Sequence, residues 1–229
     1  MSGFSKMLQF QKGLIVNNNR EWFQEHKAAY EEIRKECCDE IDQIINMVSL
    51  VDERLRGVTH KDCIYRIYRD VRFSHDKSPY KTWFGIVLGP NGKKTREAAY
   101  YIHLSPGDCG IFAGVWYPEN DVLKALRSDI DGGIEEFLEI MNNPEFKSSF
   151  PGLVGESLKT IPKGYPKDYP YPEIIKMKEY LVRKPLADDF FDTDNWIDEI
   201  VSSVKLAKPF VDFLNYTFEE LHNLGLFVL

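Results

Sequence analysis

The sequence predicts an α+β fold with a central, mostly antiparallel sheet of about four to five strands, and three observations carry that reading. Apolar residues recur at spacings of three and four over residues 20–48 and again beyond residue 118, which is the period of amphipathic helices. Between residues 63 and 117 the period falls to two, Gly and Pro become frequent, and aromatic and β-branched residues gather in short runs. The links between these runs are too short for crossover helices but suit hairpins. Strands grouped in the middle, with helices from both ends of the chain packed on them, define the α+β class. At 229 residues and 43% apolar content the chain can build a substantial core, and it is read as a single domain: helical over 1–50, sheet over 63–117, helical over 118–229.

Taken in order, Phe4, Met7, Leu8 and Gln11 predict a short first helix that Gly13 ends. Asn18 or Asn19 can cap a long second helix, whose buried stripe is Trp22, His26, Tyr30, Ile33, Cys37, Ile41, Ile44 and Val48. Residues 64–71, 83–88, 98–105 and 111–117 read as strands, with turns over 90–97 and 106–110. Val122, Leu123, Leu126 and Ile130, then Ile134, Phe137, Leu138 and Met141 beyond Gly132-Gly133, predict two consecutive helices. Residues 161–173 hold four prolines and form either a linker or a fixed loop; Tyr165, Tyr169 and Tyr171 favour the packed loop. Residues 180–186 suit a short strand rejoining the sheet, and the apolar positions from Trp196 to Leu221 predict a C-terminal helix interrupted by Pro209.

Composition bounds function by exclusion. The chain carries 36 acidic and 29 basic side chains, a net charge of −7, so its overall field disfavours nucleic acid. Apolar stretches are short and the first twenty residues lack a secretion signal, so a soluble, cytoplasmic protein without membrane contact is expected. Cys37, Cys38, Cys63 and Cys109 show no metal-ligand spacing and read as reduced thiols. The five histidines form no ligand set, and neither a phosphate-binding glycine loop nor a serine-nucleophile motif is present; no metal or cofactor is expected.

Against that acidic background, residues 66–81 read RIYRDVRFSHDKSPYK and set Arg66, Arg69, Arg72, Lys77 and Lys81 against Asp70 and Asp76. If 64–73 is a strand, Tyr65, Ile67, Arg69, Val71 and Phe73 share the core face, and Arg66, Tyr68, Asp70 and Arg72 the other. Arg69 on a core face needs a carboxylate or several carbonyl partners, and is expected to tie the sheet to a helix or a ligand. Arg66 and Arg72 can each offer a fork of donors to phosphate or carboxylate, with Asp70 orienting them or acting as a base. Residues 73–81 have turn formers and no apolar period, so they read as a loop that can bring Lys77 and Lys81 to the same anion.

The pattern R-x-x-R-D-x-R-F-x-x-x-K-x-P-Y-K is met in full by Arg66, Arg69, Asp70, Arg72, Phe73, Lys77, Pro79, Tyr80 and Lys81. On it the chain resembles the mainly bacterial domain-of-unknown-function family 2461. Residues 17–23, 100–118, 123–130 and 161–170 resemble that family too, so the likeness covers nearly the whole chain. It implies no activity or cofactor; it implies that the basic segment is the family's defining feature.

His103 falls on the polar face of its strand, where it can meet Arg66 and Asp70 and serve as a base, or be a hydrogen-bonded structural residue. Cys109 lies beside Asp108, a neighbour that raises a thiol pKa, so a nucleophilic role is disfavoured. Tyr65, Tyr68, Tyr80, Trp83 and Trp116 can stack on bases or sugars, or simply fill the core. The leading expectation is a pocket that binds the phosphate or carboxylate of a small molecule through Arg66, Arg72, Lys77 and Lys81, with Arg69 and Asp70 holding the geometry. Any catalytic step would fall to Asp70 or His103 as base and Tyr80 as proton donor. The alternatives are a structural or partner-binding protein whose arginines form internal ion pairs, and single-stranded nucleic-acid binding.

Overall fold

The computed structural model describes residues 1–226, and its fold is α+β: eight α-helices and a five-stranded antiparallel sheet of order β1-β2-β3-β5-β4. The strands are β1 (Phe84–Leu88), β2 (Ala99–Leu104), β3 (Cys109–Val115), β4 (Leu153–Val154) and β5 (Tyr180–Leu186). Adjacent β1, β2 and β3 agree with the hairpin connections expected at 90–97 and 106–110. The chain divides into two compact units: Met1–Lys94, Tyr101–Ile111 and Pro185–Ser202 form the first, and Thr95–Tyr100, Phe112–Lys184 and the chain from Ser203 the second. Among the described residues no helix is long and apolar enough to cross a membrane.

In the first unit α1 (Gly3–Val16) packs on α2 (Arg20–Val48), burying Phe4, Leu14, Phe23, Ile41, Ile44 and Val48 almost completely. Glu40 of α2 accepts from the N–H groups of Gly3 and Phe4 at 2.7 and 3.1 Å, satisfying two orphan donors at the start of α1. Gly13 does not end that helix. It makes room for the Trp22 ring, which would lie 3.1 Å from an added Cβ. Asn19 is the cap of α2, accepting from Trp22 N–H at 2.9 Å. A short helix, α3 (His60–Cys63), then leads into the basic segment.

In the second unit α4 (Asn120–Gly132), α5 (Ile134–Asn142), α6 (Pro144–Ser149), α7 (Pro172–Ile175) and the later part of α8 (Trp196–Asn223) surround Phe137, Phe146, Phe150, Phe210 and Leu214. Pro209 does not interrupt α8. Phe210, Val211 and Leu214, all fully buried, hold the helix together by tertiary packing where proline removes one backbone bond. Residues 161–171 form the packed loop: Tyr169 is 8% exposed and donates its hydroxyl to Asp131 at 2.6 Å. Gly114, with φ of 125°, admits β5 at close range, because an added Cβ would lie 2.0 Å from the Tyr180 carbonyl oxygen.

One expected strand is absent. Residues 64–71 are extended, yet they pair with the chain around β1 only at two isolated bridges, Ile64 with Ile86 and Tyr68 with Tyr80. Ile64 and Tyr68 are four positions apart and their partners Ile86 and Tyr80 six, so two extra residues bulge on the partner side and a regular ladder cannot form.

Candidate functional site

The irregular pairing nevertheless positions the motif. Lys81 N–H donates to Ile67 O at 2.8 Å and Arg69 N–H to Pro79 O at 2.9 Å, so the two arms run antiparallel with residues 70–78 as the connecting loop. Asn18, next to the helix cap, clamps the second arm. Its amide donates to Tyr80 O at 3.0 Å and accepts from Tyr80 N–H at 3.1 Å, satisfying both backbone groups of one residue. Side-chain burial alternates as a strand's would: Tyr65, Ile67, Arg69 and Val71 are partly buried, while Arg66, Tyr68, Asp70 and Arg72 are exposed. Phe73 departs from the expected core face; it is 96% exposed, with the Arg72 guanidinium 5.9 Å from its ring.

Most of the motif's charges brace the loop itself. Arg69 ion-pairs with Asp76 and also donates to Ser78 O at 3.3 Å, so its partner is the loop, neither a helix nor the core. Asp76 accepts from the Ser78 hydroxyl and N–H at 2.7 and 2.9 Å, and these bonds, with Arg69, hold its pKa down at about 2. Arg72 grips Asp70 through Nε and Nη2 at 3.0 and 2.6 Å, which lowers the Asp70 pKa. A carboxylate so held is a poor proton acceptor near neutral pH. Lys77 donates to Val71 O at 3.0 Å.

Arg66 and Lys81 are different. Neither side chain makes an ion pair or a hydrogen bond among the described residues, although the Arg66 charge helps lower the Asp70 pKa. The Lys81 ammonium lies 4.6 Å from the Trp83 ring centre and 5.1 Å from that of Tyr65, and those two rings meet edge to face at 5.9 Å. Partial burial, aided by the Arg66 charge, holds the Lys81 pKa below the ordinary lysine value. Tyr101 and His103 of β2 extend the platform. The Tyr101 hydroxyl and His103 Nδ1 are hydrogen-bonded at 2.9 Å, and the His103 ring centre is 5.8 Å from that of Trp83. Gly85 makes this convergence sterically allowed, since an added Cβ would be 2.4 Å from the Tyr101 hydroxyl and 2.8 Å from the Trp83 ring.

The structure therefore brings together Lys81, Tyr65, Trp83, Tyr101 and His103 in the first unit, with Arg66 exposed next to Tyr65 in the chain and its charge felt at Lys81. Tyr80 lies elsewhere: 3% exposed, it stacks on Phe23 at 4.1 Å, and burial raises its hydroxyl pKa. Cys109 is buried, donates to Ser105 O at 3.2 Å, and has its thiol pKa pushed up to about 11, chiefly by burial. Tyr101 and Asn18 carry roles that sequence reading missed. For Asn18 the signal is the run Asn17-Asn18-Asn19, where one cap leaves the other asparagines to be explained.

A family model described as "Conserved hypothetical protein (DUF2461)" matches residues 6–213. No curated protein and no solved structure matches the chain. With the match spanning both units and every motif residue of the platform, the chain belongs to the DUF2461 family.

Proposed function

We propose that the protein binds a small molecule through its phosphate or carboxylate group, with Arg66 and Lys81 as the anion-binding pair and Tyr65 and Trp83 as the walls beside it. The observation that carries this reading is the division of labour within the motif. Arg69, Arg72 and Lys77 answer to Asp76, Asp70 and Val71 O, whereas Arg66 and Lys81, which feel each other's charge, make no ion pair of their own among the described residues, Asp70 reaching Arg66 only through its field. Two cations that feel each other's charge repel, and a bound anion between them relieves that repulsion. His103 borders the same platform, hydrogen-bonded to the Tyr101 hydroxyl whose pKa burial raises, and is the group to exchange a proton with a ligand there.

The test is a thermal-shift screen against phosphorylated metabolites, nucleotides, sugar acids and dicarboxylates, run on wild type, Arg66→Ala and Arg72→Ala. A stabilising ligand should lose its effect in Arg66→Ala and keep most of it in Arg72→Ala, whose partner is Asp70. Equal stabilisation of wild type and Arg66→Ala would refute the reading.

A second reading has its own observation, namely the internal pairing of Arg69 with Asp76 and Arg72 with Asp70. On it the motif serves to hold the loop for a protein partner. It predicts that no small anion stabilises the protein.

A further inference from the structure

We infer that Lys81 is a carbonyl-capturing amine, condensing with the aldehyde or ketone of a small carboxylate or phosphate; this rests on the anion-binding reading of Arg66. An ammonium group carries three donors, and in a folded protein it ordinarily finds carboxylate or carbonyl acceptors. At Lys81 the ammonium lies over the faces of Trp83 and Tyr65, which attract a cation but accept no conventional hydrogen bond. Arg66, a like charge, stands close enough to disfavour the protonated amine, and the side chain is partly buried. A lysine desolvated against apolar surface and set beside a second cation is the environment that leaves an amine nucleophilic near neutral pH.

The inner side of the platform adds an independent observation. A cavity of about 10 Å³ is lined by Lys81, Tyr65, Trp83 and Gln11 among others, which is room for roughly one water. Gln11 is 3% exposed and its Oε1 has no hydrogen-bond partner among the described residues, although its amide donates to Leu104 O at 3.4 Å. An orphaned acceptor beside a water-sized space is matched to a water molecule.

That fits the stoichiometry of condensation. After its extra proton passes to solvent, the neutral Lys81 Nζ adds its lone pair to the carbonyl carbon. The carbonyl π electrons move to oxygen, which takes a proton to give a carbinolamine. The C–O bond then breaks and the oxygen leaves as water, carrying both amine hydrogens in the net balance and leaving C=N. No oxidant or reductant is consumed. Arg66 holds the substrate's anionic group, and Gln11 Oε1 accepts from the departing water.

The experiment is reductive trapping on the whole chain. Protein is incubated with glyoxylate and sodium cyanoborohydride at neutral pH, the hydride coming from the reagent, and modified lysines are located by peptide mass mapping. Propionaldehyde, uncharged, is run in parallel, and both are repeated on Arg66→Ala. The expected result is preferential carboxymethylation of Lys81 over the exposed Lys61, Lys159 and Lys163. In Arg66→Ala, glyoxylate labelling of Lys81 should fall about tenfold, the scale of one lost charge contact, with propionaldehyde labelling changing less. Lys81 labelled no faster than the exposed lysines by either aldehyde would overturn the proposal, whatever the thermal-shift screen finds. Fast labelling by both aldehydes, indifferent to Arg66, would support a reactive Lys81 and overturn the anionic substrate class.

Discussion

At the residue scale, five cations of one motif divide by what stands next to them. Arg69, Arg72 and Lys77 have acceptors within the loop, and Arg66 and Lys81 have none among the described residues. Asp76 is the hinge of the bracing set because it serves Ser78 and Arg69 together. Its folded-state pKa of about 2 lies below the ordinary aspartate value of 3.8, so its contribution is present above pH 3.8 and disappears as pH falls toward 2. We expect the Asp76 carboxyl carbon, followed by NMR, to titrate near pH 2 and to move up toward the unperturbed value of about 3.9 in Ser78→Ala, which removes the largest cause. A midpoint unchanged by that substitution would mean that the backbone N–H of residue 78 and Arg69 hold the carboxylate down without the hydroxyl. Charge counting found these residues in the sequence; it could not assign partners, because Asp70 and Asp76 reach theirs only through the turns that the loop adopts.

At the scale of elements, the site depends on two antiparallel arms that are not a regular ladder. The period-two pattern over 64–71 was legible and its two faces are real, but alternation reports extended backbone and not ladder pairing. Pro79 has no N–H to give, and the two extra residues opposite Tyr65–Ile67 carry Trp83 and Lys81 around to the same side as Tyr65. That convergence is invisible to a local window, as is β4, which is two residues long and has no period to detect. The long periodic elements, α2 and β1 to β3, were legible because burial dictates their pattern; Gly13 and Pro209 misled because packing outweighs local preference. Asn18 is the tie between the helical corner and the second arm. Asn18→Ala leaves the Tyr80 N–H and C=O without partners beside a buried ring and should cost about 1–3 kcal/mol in urea unfolding. Asn18→Asp keeps the acceptor for Tyr80 N–H and loses the donor, so its loss should be intermediate. Two variants indistinguishable from wild type would show the clamp to be dispensable.

At the scale of the whole molecule, a chain of net charge −7 that gathers cations in one motif suits a small anion better than a long polyanion. On the proposed reading a small ligand would meet the local field of Arg66 and Lys81, whereas an extended strand of phosphates would also feel the chain's net charge of −7. The thiols are a second whole-molecule feature. Cys37, Cys38, Cys63 and Cys109 are all buried, all belong to the first unit, and all have raised pKa values for which burial is the leading cause, Cys63 reaching about 12. Thiolate is the species that reacts with a disulfide reagent, so each group is protected both by inaccessibility and by protonation. They lie in α2, in α3 and at the start of β3, and so sample three separate elements of the unit's core. If that core opens as one cooperative body, all four thiols should be silent in native buffer and become reactive at a single denaturant midpoint. Early reaction of Cys109 alone would instead mark the start of β3 as a separately opening element, and Cys109→Ser would then remove the early phase while leaving the main transition in place.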